Sequence, residues 1–277
     1  MSEPTPTPSS QAMERLLEIM ARLRAPDGCA WDREQTPAKL KPQMLEECYE
    51  VIEAIDSGSP EHLAEELGDL LLHIVFQAQI AREEGQFAFA DVANGIADKL
   101  IRRHPHVFGD AKVADAAGVV AQWHQLKKAE KPERESALDG VPRALPALMR
   151  AEALQKKARH VGFDWPDVRG ALDKVREEVA EVTAEIESGL ASTPDDKAKK
   201  FTPAPETAEE IGDLLFSIVN MTRHLKLDAE ELLTRANDKF SRRFRAVEAQ
   251  MAATGKAMND CTLEELDAAW NSVKAEG

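Results

Sequence analysis

Apolar residues recur along this chain at intervals of three and four. Leu45, Cys48, Tyr49, Ile52 and Ile55 fall on one side of a helix, and after the break Ser57-Gly58-Ser59-Pro60 the spacing resumes with Leu67, Leu70, Leu71, Ile74, Val75 and Ala78. Two amphipathic segments joined by so short a break predict an antiparallel helix pair. The arrangement returns in the second half, with Val179, Val182 and Ile186 followed by Ile211, Leu214, Leu215, Ile218 and Val219. Runs of β-branched residues alternating with polar ones are missing, so the fold class is all-α. The apolar stretch 70–81 is interrupted by His73, Gln77 and Gln79 and is far shorter than the roughly twenty residues that cross a bilayer. It predicts a buried helix and no membrane partner.

The correspondence between the halves extends beyond the apolar stripe. Trp31 matches Trp165, Asp98-Lys99 matches Asp238-Lys239, Arg102-Arg103 matches Arg242-Arg243, and Trp123-x-x-x-Lys127 matches Trp270-x-x-x-Lys274. The offset between partners drifts, as loop insertions produce. The largest insertion, 188–205, carries three prolines and a lysine run and reads as a mobile loop between two helices. Residues 1–12 read as a disordered tail, 13–130 as a first domain, 131–146 as a linker marked by Pro132, Gly140, Pro142 and Pro146, and 147–277 as a second domain.

Composition narrows the function. With 50 acidic against 35 basic residues the formal net charge is -15, which opposes binding to duplex nucleic acid. The 3 cysteines, Cys29, Cys48 and Cys261, lack C-x-x-C spacing and read as free thiols of a reducing compartment. The N-terminal stretch has neither the basic start nor the apolar centre of a signal peptide, so a cytoplasmic protein is expected.

The candidate chemistry is acidic and occurs twice. Glu47-x-x-Glu50 precedes Glu66-x-x-Asp69, and Glu178-x-x-Glu181 precedes Glu210-x-x-Asp213. Residues three apart share a helix face, so each helix pair can direct four carboxylates at one place. Their mutual repulsion requires a cation, and all-oxygen donors select Mg²⁺ or Mn²⁺. A di-iron site needs Glu-x-x-His, whereas the fourth position here is aspartate. One E-x-x-E alone is an ordinary solvated helix face; two copies, each joined to E-E-[LI]-G-D-L-L, are not. Gly68 and Gly212 inside helices suggest close approach by another helix.

Lys239, Arg242 and Arg243 form a basic helical turn with Lys274 further on, suited to gripping phosphates or, alternatively, to i,i+4 pairing with Asp238 or Glu248. Trp165 and Trp270 offer flat faces on which a base can stack, the usual alternative being core packing. His73 follows Asp69 by one turn, but the second copy has Ser217 there, so His73 is read as an ordinary helix residue. No G-x-x-x-x-G-K-[ST] loop occurs, which excludes P-loop enzymes. The Nudix box is not matched either, because Arg176-Glu177-Glu178 is followed by Val179, Ala180 and a single Glu181.

From Met13 to Lys274 the chain resembles the MazG nucleoside triphosphate pyrophosphohydrolases. The resemblance is carried by RLRAPDGCAWDREQT, LEECYEVIEAI, EELGDLL and RRHPHVF in the first half, then VGFDW, REEVAEV, EEIGDLLF, ANDKFSRRF and Trp270-x-x-x-Lys274. It implies an all-α homodimer whose helix pairs combine into four-helix bundles, and Mg²⁺-dependent conversion of an NTP or dNTP to monophosphate and pyrophosphate, clearing unwanted nucleotides. It further implies Glu178, Glu181, Glu210 and Asp213 as metal ligands and catalytic residues, with Glu177 and Lys174 assisting. Asn237, Lys239, Arg242, Arg243, Trp270, Lys174 and Lys274 would hold the nucleotide.

The first copy has Gln43 and Ala97 where the second has Lys174 and Asn237, so the second domain is expected to be the main catalytic one. Glu47, Glu50, Glu66 and Asp69 then form a weaker site. Some relatives carry a basic residue where this chain has Glu206, a role that Lys197, Lys199 and Lys200 could take. The related phosphoribosyl-ATP pyrophosphohydrolases are an alternative distinguished by substrate.

Overall fold

The computed structural model describes residues 7–113, 115, 118, 119, 122, 123, 126, 127, 130, 135–191 and 202–276. The regular elements among these residues are helices, with no strand among them. The chain divides into two compact units, Met1–Pro132 and Glu133–Gly277.

In the first unit α1 (Pro8–Leu23), α2 (Ala30–Arg33), α3 (Pro37–Ser57), α4 (Pro60–Glu83), α5 (Phe89–Arg103) and α6 (Pro105–Phe108) follow in order. Helix α1 starts at Pro8, inside the stretch expected to be a tail. Thr7 caps it by accepting from the Ser10 amide at 3.2 Å, and proline is well tolerated at a first helical position. The rest of the expected tail, 1–6, lies outside the described residues. Gly58 ends α3 in the left-handed conformation, φ 68°, and Ser59 caps α4 by accepting from His62 N at 3.2 Å. Those two residues alone reverse the chain and set α3 against α4.

The core is formed by Met20, Leu40, Val75, Phe76 and Ile80, with Leu16, Leu17, Leu71 and Phe89 around it. Arg24 ties α1 to α4 through its guanidinium, Nε donating to Glu83 Oε1 at 3.0 Å and Oε2 at 2.9 Å and Nη2 donating to Oε2 at 2.6 Å. Other members of the apolar stripe are not covered. Leu45, Tyr49, Ile52, Ile55 and Leu67 remain about half exposed, because a pair of helices has a second apolar side that the rest of the unit does not reach.

The second unit contains α7 (Ala147–Arg159), α8 (Val168–Ala191), α9 (Pro205–His224), α10 (Ala229–Ala253), a 3₁₀ turn at Met258–Asp260 and α11 (Leu263–Glu276). Helix α8 continues to Ala191, three residues beyond the start of the expected loop at 188, and α9 begins at Pro205. Residues 192–201 of that loop, with Lys197, Lys199 and Lys200, lie outside the described residues. So do 131–134 of the expected linker; its remaining part is joined to α7, where Lys157 Nζ donates to the Asp139 carbonyl at 2.7 Å. Helices α8 and α9 lie side by side, α7 packs on α9, and α10 packs on α11 around Val247, Met251 and Ala269.

The turn between α7 and α8 is locked to α9 by an ion pair. Arg223 Nη1 donates to Asp164 Oδ2 at 3.0 Å, Nη2 bonds Oδ1, and His224 Nε2 lies 3.1 Å from Oδ1. Burial raises the pKa of Asp164, but the bonds from Arg223 and His224 outweigh it and hold the carboxyl below its ordinary value. A carboxyl depressed in the folded state contributes stability that is complete above its unfolded value and lost as pH falls through the folded one. Asp164→Asn is therefore expected to cost about 3 kcal/mol at neutral pH, with the gap to wild type closing below the usual aspartate value. Thermal melts at pH 7 and pH about 3 check this.

Candidate metal and nucleotide site

Glu178 and Glu181 stand one turn apart on α8, and Glu210 and Asp213 one turn apart on α9. Because the two helices are packed together, carboxylate oxygens of Glu178, Glu181 and Glu210 come within 4.8 Å of one another. Asp213 is exposed and outside this trio, though its charge acts on Glu210. Burial raises the pKa of Glu210, and the charges of Glu181, Glu178 and Asp213 push the same way.

Glu178 is the anchor of the group. It is 3% exposed; one oxygen, Oε1, lies 2.7 Å from Lys174 Nζ, and the other, Oε2, is buried with no partner. Lys174 also bonds Glu177 at 2.8 Å, and the bonds from Glu177 and Glu178 raise its pKa above the ordinary lysine value. A buried carboxylate oxygen left unpaired beside further carboxylates is costly until a cation completes it. The donors are all oxygen, so these residues fit a hard divalent ion such as Mg²⁺ or Mn²⁺.

The first unit repeats the arrangement with different members. Glu47 on α3 and Glu66 and Asp69 on α4 come within 4.8 Å, while Glu50 lies beside them. Burial and then Glu50 raise the Glu47 pKa. In place of Lys174 stands Gln43, whose Oε1 is buried and unpartnered. Two histidines border the site. His62 Nε2 lies 3.1 Å from Glu66, and His73 Nε2 lies 3.7 Å from Glu47, with His73 Nδ1 buried and unpartnered. His73, expected to be an ordinary helix residue, is one turn past Asp69 where α4 sets it beside Glu47 of α3. Positions four before Glu66 and four after Asp69 were the available signal for both histidines.

The basic residues lie on other elements. Asn237, Lys239, Arg242 and Arg243 are on α10, and Lys274 is on α11. Among the described residues, Lys239, Arg242, Arg243 and Lys274 form no ion pair, so the alternative of pairing with Asp238 or Glu248 is not realised. Nor are they bonded to the carboxylate trio. Trp270 is packed with Val247, Met251 and Ala269, 5.4 Å from the Phe240 ring, where it fastens α11 to α10.

In the first unit the matching cations are already engaged. Arg102 and Arg103 both bond Glu130, at 2.8 Å and 3.1 Å, Arg103 lies 5.3 Å from the Trp123 ring centroid and Lys127 lies 4.9 Å from it. Arg103, then Arg102, holds Glu130 down at about 2. By the same register the second copy has Gly277 in place of Glu130. Gly68 and Gly212, expected to admit a close helix, have nothing of their own chain within 4 Å of where a Cβ would stand.

The description of the MazG nucleotide pyrophosphohydrolase domain fits the chain twice, over residues 35–108 and 169–247. The chain belongs to the MazG family. It is 48% identical over 267 residues to the Escherichia coli (strain K12) protein named nucleoside triphosphate pyrophosphohydrolase, covering 95% of this chain and 97% of that protein. To the Thermotoga maritima protein named nucleoside triphosphate pyrophosphohydrolase/pyrophosphatase MazG it is 43% identical over 262 residues, 94% of this chain and 95% of that protein. Uncharacterized protein YabN of Bacillus subtilis is 47% identical over 257 residues, 92% of this chain and 50% of that protein. Each MazG segment contains one complete acidic quartet, and the second also contains Asn237, Lys239, Arg242 and Arg243.

Mg²⁺ at a hundredfold its dissociation constant is expected to stabilise the protein by about 2.7 kcal/mol per linked site. Glu178→Gln should remove the increment belonging to the second unit. Calorimetric melts of EDTA-stripped protein, with and without added Mg²⁺, measure both.

Proposed function

We propose that this MazG protein hydrolyses nucleoside triphosphates, both NTP and dNTP, to the monophosphate and pyrophosphate in a Mg²⁺-dependent reaction that clears unwanted nucleotides in the cytoplasm. The observation that carries the reading is Glu178, with one buried oxygen unpartnered, grouped with two further carboxylates in a chain 48% identical to a protein named for this activity. A divalent ion held there supplies charge neutralisation to phosphate oxygens and makes a water more acidic.

The protein's own groups do the rest. Glu178, Glu181, Glu210 and Asp213 hold the ion; Glu177 restrains Lys174, which stands at the edge of the trio ready to turn toward phosphate. Lys239, Arg242, Arg243 and Lys274, which form no ion pair among the described residues, bind the triphosphate, and Asn237 and Trp270 join them in holding the nucleotide. The second domain carries the main activity because its cations are available, whereas Glu130 occupies those of the first. The first quartet, Glu47, Glu50, Glu66 and Asp69, is a weaker metal site.

A homodimer accompanies this function. Half-exposed Leu45, Tyr49, Ile52 and Ile55 in one unit, and Val179, Ile211 and Leu215 in the other, lie on the same helix pairs as Gly68 and Gly212. A second copy covering them completes four-helix bundles. No helix among the described residues is long and apolar enough to cross a membrane.

Glu178→Ala and Asp213→Ala are each expected to lower kcat for pyrophosphate release by about 10²-fold or more, while Glu47→Ala and Asp69→Ala leave most of it. A pyrophosphate-release assay with and without Mg²⁺ decides; loss confined to the Glu47 and Asp69 variants would assign the work to the first domain.

A further inference from the structure

Resting on the nucleotide reading above, we propose that a cavity further along α9 from Glu210 is the pocket for the nucleobase, with Gln155 and Arg223 as its polar readers. The cavity, about 500 Å³, lies between α7, the 160–167 turn and α9, and its walls include Leu154, Phe163, Trp165 and Phe216. That volume lies within the usual range for small-molecule sites, which combine apolar walls with a few polar groups. Trp165 is held in place from below: a methyl on Gly170 would stand 2.8 Å from its ring.

Two buried polar atoms of lining residues have no partner. Gln155 is 6% exposed; its Nε2 donates to the Phe216 carbonyl at 2.8 Å, which orients the amide and leaves Oε1 unsatisfied. Arg223 is 8% exposed; its terminal nitrogens are taken by Asp164 and by Asn220 Oδ1 at 2.6 Å, leaving Nε unsatisfied. Unpaired buried groups are expensive, and these two ask for a ligand with one N–H and one acceptor atom on a planar, apolar frame. A nucleobase edge has that description, and aromatic rings favour stacking on its faces.

Position agrees with chemistry. Glu210, Asp213, Phe216, Asn220 and Arg223 fall within less than half the circumference of α9, and Asn220 lies about 10 Å along the axis from Asp213. One helix face thus presents ion ligands at one end and base walls at the other, separated by about the length of a nucleoside.

The other half of the chain supplies an internal control. Counting from the matched tryptophans and from Glu66 and Glu210, Leu154, Gln155, Asn220 and Arg223 correspond to Met20, Ala21, Phe76 and Gln79. Met20 and Phe76 are 1% and 3% exposed and pack into the core of the first unit. The same place is filled with hydrocarbon in one copy and hollow with unsatisfied polar atoms in the other.

The test compares ATP, GTP, CTP and UTP with methyl triphosphate, which has the phosphates but no base, and titrates adenosine, guanosine, cytidine and uridine calorimetrically. Asn220→Phe, which installs the plug of the first copy, is expected to lower kcat/KM for the nucleotides at least tenfold through KM. The preference for nucleotides over methyl triphosphate should collapse with it. Gln155→Leu is expected to alter the ranking among the four bases, and at least one nucleoside should bind wild type and be lost in both variants.

An unchanged nucleotide preference and unchanged nucleoside binding in folded Asn220→Phe overturns the assignment; if that variant does not fold, an unchanged ranking in Gln155→Leu does. Wild type that binds a nucleoside at this pocket but releases no pyrophosphate sinks the hydrolase reading and leaves the pocket standing. Wild type that hydrolyses every nucleotide no better than methyl triphosphate sinks the pocket alone.

Discussion

Like charges gathered across a helix pair repel one another, and the second unit tolerates this at Glu178, Glu181 and Glu210 only with outside help. Lys174 gives part of it by bonding Glu178 and Glu177. The remaining deficit, an unpaired buried oxygen on Glu178, is one that a divalent cation would meet. Elements around the site serve to hold that geometry: α7 braces α9 through Gln155, and Asp164 pins the turn before α8 through Arg223.

The two halves solve the same charge problem in different directions. In the first, Gln43 replaces the lysine, His73 stands beside Glu47, and the arginines of α5 are neutralised by Glu130. In the second, the matching cations on α10 form no ion pair among the described residues, and a cavity is kept open where the first half places Phe76. A duplicated domain thus contains one copy whose arginines on α5 are neutralised internally and one whose matching cations form no ion pair among the described residues.

What was legible in the sequence was local. The all-α class, the paired helices and the membership of the acidic residues follow from spacings of three and four, which need no knowledge of tertiary packing. The MazG motifs extended that reading to a family. Less visible were features made by residues far apart in sequence. Which three of each quartet converge depends on how the helices cross, so Asp213 drops out of one trio and Glu50 out of the other. The cavity needs α7 laid on α9, and the Arg223 clasp joins positions on different elements. Trp270, a residue type as suited to a base as to a core, shows its packing partners only in the fold. The start of α1 was missed because a Pro-, Thr- and Ser-rich segment resembles a tail until Thr7 is seen to cap it.

The carboxylate of Glu130 gives the first unit its own counter-ion for the arginines of α5, at short range and partly shielded from solvent. Among the described residues, Lys239, Arg242 and Arg243 of α10 have no such companion, so dissolved anions screen their mutual repulsion. The halves should consequently respond to ionic strength in opposite senses: added salt screens and relaxes α10, yet competes with the clasp that closes the other copy.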